Sequence, residues 1–193
     1  MNKELKNTVD KINQLDLVKE IKALALTAIY IREDENDDAI ETLERLAGDE
    51  NCSATVHCIL GDLYLSKGFD LFASAKKQYN KVFELMEGHQ DGIEYLAAKA
   101  GLTEIKAVEN EEGVQQLRQE IEDKLNALGL SEQRSLLEVA LTSEISQNVE
   151  LASLVAFSNT ENCPIGIRNC NPPQVNRYKP HEMASCIRCP NNP

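Results

Sequence analysis

Apolar residues return at helical spacing along most of the chain. Leu5, Val9 and Ile12 form one stripe over 3–13. Ala39, Leu43 and Leu46 form a second, and Ala75, Tyr79 and Val82 a third with the same steps of four and three. Val114, Leu117, Ile121, Leu125 and Leu128 make an almost unbroken fourth, and Leu137, Leu141 and Ile145 share one face of 131–157, which reads as one long or broken helix. Each stripe is expected to be core. The first 163 residues contain no proline, while all six prolines fall in the last 30. Proline removes a backbone donor and clashes with the preceding turn, so a long proline-free stretch suits helices. The division near Asn159 predicts a helical body over 1–158 and a Cys/Pro-rich tail over 159–193. Gly48, Gly88 and Gly129 sit where helices should end. Asn36 and Ser131 are placed to cap helix starts, and Asp91 with Glu94 three residues on reads as a capping box.

An internal period is visible. At a shift of 34 residues, Leu26 matches Leu60, Thr27 matches Gly61 and Tyr30 matches Tyr64. In each copy a break follows and a second helix starts, with two extra residues in the second copy around 69–72. A third, degenerate copy is echoed by Leu96, Ala97 and Ala100 at a shift of 36. The pattern Leu60-Gly61-x-x-Tyr64, then Gly68, then Ala75-x-x-x-Tyr79-x-x-Val82, resembles the tetratricopeptide repeat. Two recognisable repeats cover about 20–87. The resemblance implies an all-α fold of helical hairpins stacked as a right-handed α-solenoid, followed by the irregular tail. In that family the small residue lets paired helices approach, and large residues fill the spaces between successive helices. A stack exposes an apolar flank at each end, so the outer helices are expected to cap it.

In the same family the first helix of each pair lines a concave face that binds partner segments. Its best-known peptide clamp grips a terminal carboxylate with cations and an asparagine. The matching positions here are Leu24, Ala28, Cys58 and Asp62, none of them a cation, so that clamp is not expected. The resemblance instead implies a mostly apolar groove of Ile21, Leu24, Ala28, Cys58 and Ile59, with Asp62 and Arg32 toward its edge. Such a groove suits an amphipathic or extended apolar segment, either from a protein partner or from this chain's own N-terminal helix or tail.

Charge narrows the partners. The net charge is −12, and residues 1–158 hold 30 acidic against 16 basic residues. An acidic surface repels phosphate, so neither nucleic acid nor an anionic membrane surface is expected as a partner. No apolar run approaches a membrane span, and the first residues carry no secretory apolar segment, so a cytoplasmic location is expected. The acidic turn 33–38 reads as a solvated loop before a helix. Self-association is left open.

Six cysteines divide between body and tail. Cys52 and Cys58 belong to the second repeat, where they read as small core residues on different helix faces. Cys163, Cys170, Cys186 and Cys189 are confined to the tail as Cys-x6-Cys and Cys-x2-Cys. Four clustered thiols in a cytoplasmic chain favour one structural zinc ion, with Cys186 and Cys189 as a knuckle and His181 as a spare ligand. Free thiols, disulfides and a redox-active site stay open as alternatives. No nucleophile–base set converges: His57, His89 and His181 lie in unrelated segments, and no phosphate loop or hydrolase motif occurs. The expectation is a non-enzymatic adaptor or assembly factor. The alternative is a metal- or redox-responsive regulator in which the tail controls partner binding.

Overall fold

The computed structural model describes residues 3–49, 51–109, 112–128 and 136–155. These residues form α-helices joined by short turns, with no strand among them. The helices are α1 (Lys3–Gln14), α2 (Lys19–Arg32), α3 (Asn36–Ala47), α4 (Ala54–Lys67), α5 (Phe72–Leu85), α6 (Ile93–Val108), α7 (Val114–Ala127), α8 (Leu136–Gln147) and α9 (Val149–Val155). The two extra residues between α4 and α5 form a single 3-10 turn, Phe69–Leu71, where Phe69 and Phe72 stack at 5.0 Å. Gly129, Ser131 and the tail, with Cys163, Cys170, Cys186, Cys189 and the zinc expected there, lie outside the described residues.

Consecutive helices pack in pairs, α2 on α3, α4 on α5 and α6 on α7. The pairs meet through α3–α4, α5–α6 and α4–α6. The second helix of each pair is amphipathic: α3 buries only Ala39, Leu43 and Leu46, and α5 only Ala75, Tyr79 and Val82. The first helices differ. In α4 every residue from 56 to 64 is buried, and α2 buries eight of its fourteen residues. A helix buried around its whole circumference needs neighbours on every side. The paired helix supplies one side, and α8 and α9 supply much of the other: α8 packs on α2, α4 and α6, while α9 packs on α1 and α2.

The middle of the stack is keyed by Tyr79. Its side chain is fully enclosed, and its hydroxyl donates to Asp62 Oδ1 at 2.8 Å. A Cβ added at Gly61 on α4 would lie 2.6 Å from the ring, and one added at Gly101 on α6 would lie 2.2 Å from it. The two glycines therefore let α4 and α6 close on the tyrosine from separate helices, and any side chain at either position meets the ring.

Several local expectations are corrected. Helix α3 starts at Asn36 itself, without a side-chain cap; Asn36 Nδ2 instead donates to Asp34 Oδ1 at 3.1 Å. The Asp91–Glu94 capping box does not form. Glu94 Oε1 accepts from Thr55 Oγ1 and Asp91 pairs with Lys124, so tertiary partners take both carboxylates from the helix end. Ser53 is the residue that caps α4, accepting from the Val56 amide while donating to Glu20 Oε1 at 2.6 Å. The 114–128 stripe is only partly core: Val114 and Ile121 are buried, Leu117 and Leu125 half-buried, and Leu128 is 48% exposed. Helix α7 packs on α6, which covers one narrow face. Of the two readings of 131–157, one long helix or a broken one, the described residues 136–155 show the broken one, interrupted at Asn148, whose Oδ1 accepts from the Leu151 amide at 2.9 Å. This segment does not cap the end of the stack but crosses the first helices, because those helices carry apolar surface beyond what α3 and α5 cover.

Candidate protein-binding surface

The expected groove residues all lie on α2 and α4. Leu24, Ala28, Cys58, Ile59 and Asp62 are buried and Ile21 is half-buried. All except Asp62 belong to one apolar cluster that also holds Leu136, Leu137, Leu141, Leu151 and Val155 of α8 and α9, with Ile21 packed against its margin. The surface formed by α2, α4 and α6 is thus occupied, and its occupant is a helical segment of the same chain, C-terminal to the helix pairs. Arg32 sits at the rim, where Nη1 donates to Leu154 O at 3.3 Å, close to the end of α9.

Polar groups inside this region serve packing. His57 Nδ1 bonds Gln78 Oε1 at 2.8 Å, tying α4 to α5. Cys58 Sγ contacts the Glu94 carbonyl at 3.8 Å. Cys52 lies in the turn ahead of α4 rather than on the helix, and is buried like Cys58. Burial, with the nearby carboxylates of Glu20 and Asp49, pushes the Cys52 thiol up to about 11, so it stays protonated and unreactive at neutral pH. The acidic turn 33–38 is knitted locally, through Arg32 to Glu33, Asn36 to Asp34, and Lys67 to Asp37 at 2.6 Å.

Among the described residues no group of three His, Cys, Asp or Glu side chains gathers as metal ligands would, and no helix is long and apolar enough to cross a membrane. An open hollow between α5 and α6 is lined by Asn80, Phe83, Glu84, Met86 and Tyr95, with Phe83 and Tyr95 in contact at 4.7 Å. The self-occupied surface was legible in one signal that a search for stripes passes over: residues 56–64 are apolar nearly all round, which an open groove would not tolerate. Compared with protein-family models, with curated proteins and with solved structures, the chain finds no match.

Proposed function

We propose that this chain is a non-enzymatic protein-interaction adaptor or assembly factor of the tetratricopeptide type, binding a partner segment across the concave surface of α2, α4 and α6. The observation that carries this reading is α8 itself. A surface that accommodates a helix laid across three successive helices has the shape and apolar character that helix-in-groove recognition uses. The spacing of Gly61 and Tyr79 and the pairing of α2 to α7 support the repeat assignment. Selection of a random peptide library on the immobilised full chain tests it. Helix-forming sequences with apolar residues four apart are expected to be enriched, and to compete with one another for one site. Enrichment of no sequence, or only of sequences insensitive to Ile21→Glu, would remove the groove as the binding site.

A second reading keeps the Cys-rich tail as a metal- or redox-responsive controller of that surface, with Cys163, Cys170, Cys186 and Cys189 holding one zinc ion. It is favoured by the end of α9 lying at the groove rim beside Arg32, immediately before the tail begins in sequence. Thiol titration with a chromogenic disulfide at pH 8 checks it. Cys52 and Cys58 are expected to stay silent until the protein unfolds, because both are buried. The tail thiols are expected to react quickly only after a chelator is added. Four thiols that react at once, with no zinc in elemental analysis, would remove the metal from this reading.

A further inference from the structure

We infer that α8–α9 is a displaceable internal ligand, and that the partner it yields to is a basic amphipathic helix of about three turns with apolar residues four apart. This rests on the groove reading above and adds the partner's chemistry and the competition it must win.

The shape of the partner follows from the segment that already occupies the site. Leu137 to Leu141 and Leu151 to Val155 step by four on each side of the break, with Leu136 buried beside the first. A 12-residue helix is about 18 Å long. Two steps between neighbouring helix axes, at about 8–10 Å each, cover the same distance. One helix of this length therefore reaches from α2 across α4 to α6, which is the set α8 touches.

The manner of attachment makes α8–α9 replaceable. Several of its side-chain hydrogen bonds close on its own backbone: Ser146 Oγ donates to Ser143 O, Ser153 Oγ to Glu150 O, and Asn148 Oδ1 caps Leu151. The Arg32 contact to Leu154 is to a backbone carbonyl, which any helix end presents. The buried side chains Leu136, Leu137, Leu141, Leu151 and Val155 meet apolar surface, a contact that is not directional. The α4–α6 junction is different, since Tyr79 is keyed between two glycines and bonded to Asp62. Both halves of the segment, 12 and 7 residues, are also too short to hold helical form once detached, so release unfolds them.

Charge sets the competition. Residues 136–155 contain three glutamates and no lysine or arginine, and they lie on a body with 27 acidic and 16 basic residues over 1–135. The resident segment therefore repels its own site at long range. Glu150 and the rest of its exposed face face solvent, where a partner would carry its charges. A helix with the same apolar stripe and lysines on that face gains attraction where the resident has repulsion.

Hydrogen exchange and peptide titration on the full chain test this. Amides of α8–α9 are expected to exchange together, about tenfold or more faster than those of α4 and α5. A labelled synthetic peptide of residues 135–155 is the first probe, and the same peptide carrying Glu144→Lys and Glu150→Lys is the second. The lysine peptide is expected to bind about tenfold tighter at low salt, to lose that advantage at 0.5 M salt, and to speed exchange in α8–α9 as it binds. Exchange of α8–α9 only through global unfolding would overturn the inference, whatever library selection says of binding. If the segment opens but neither peptide binds, the groove reading falls with it. A concentration-dependent dimer with α8–α9 still protected would assign the site to a second copy and overturn the basic partner.

Discussion

Tyr79→Ala is expected to lower the unfolding free energy by about 3–5 kcal/mol, the cost of emptying an enclosed aromatic site. The position explains the size: the ring is fully buried, clamped between Gly61 and Gly101, and its hydroxyl satisfies one oxygen of Asp62, itself 2% exposed. Tyr79→Phe keeps the packing and loses only that bond, so about 1–3 kcal/mol is expected. Gly101→Ala is the discriminating variant. Helix propensity alone favours alanine by about 1 kcal/mol. The new Cβ, however, would lie 2.2 Å from the tyrosine ring, an overlap that costs about 1–3 kcal/mol in a packed interior. A net loss is expected, and it should shrink or reverse in the Tyr79→Leu background, because the two sites are coupled through one contact. Urea denaturation of the wild type, the four single variants and the Tyr79→Leu/Gly101→Ala double variant measures all of this. Stabilisation by Gly101→Ala in the wild-type background would mean that the ring is not clamped.

The same tyrosine gives the fold an alkaline limit. Burial raises the Tyr79 phenol well above 10.0, and burial with the Glu44 hydrogen bond raises Tyr64 as well. A group held protonated by the fold stabilises it fully below the unfolded value of 10.0, and that contribution is lost as pH rises beyond it. Stability should therefore decline above about pH 10, less steeply in Tyr79→Phe.

Arg118→Ala is expected to cost about 2 kcal/mol and to loosen α7 before the rest of the chain. Arg118 grips Glu104 of α6 through both Nε, at 3.0 Å, and Nη2, at 2.7 Å, and the Glu104 residue is only 7% exposed. Deleting one partner of a fully buried pair costs about 3–5 kcal/mol because a charge is stranded; the partly exposed guanidinium reduces that. By contrast, Lys99–Glu120 joins the same helices and Lys124–Asp91 ties α7 to the turn before α6, both in partly exposed settings, so Lys99→Ala or Lys124→Ala should cost less than about 1 kcal/mol. The difference matters because α7 buries only Val114 and Ile121 fully. Hydrogen exchange in α7 reads the outcome. Equal effects for Arg118→Ala and Lys99→Ala would show that burial is not what makes the Glu104 pair count. Raising salt should weaken the two lysine pairs and leave the arginine pair nearly intact.

The residues that were legible in advance are those whose role is local. The stripes Leu5–Val9–Ile12, Ala39–Leu43–Leu46 and Ala75–Tyr79–Val82 are all buried, because spacing along one helix decides which residues share a face. Gly61 was legible as a close-approach position through the repeat resemblance. Gly101 was not, since it falls outside the two repeats that the pattern aligns, and both glycines meet the same ring on α5. The caps misread at Asn36 and Glu94 are carboxylates and amides with more than one possible partner, and the competing partners, Asp34 and Thr55, become neighbours through chain geometry. The residues expected to line a groove lie on α2 and α4 and are mostly buried, and what covers them was not decided by the sequence.

From the sequence alone come the all-helical class and the helix pairing over 20–87, since periodicity acts over one or two turns of chain. Only the tertiary structure decided that α8 lies across α2, α4 and α6 and α9 against α1 and α2, that Tyr79 is held by glycines from two helices, and that Arg118 and Glu104 tie α7 to α6. An apolar face states that it must be covered. Which distant segment covers it depends on the summed area and shape of surfaces that meet only after the chain has folded, and no local pattern carries that sum.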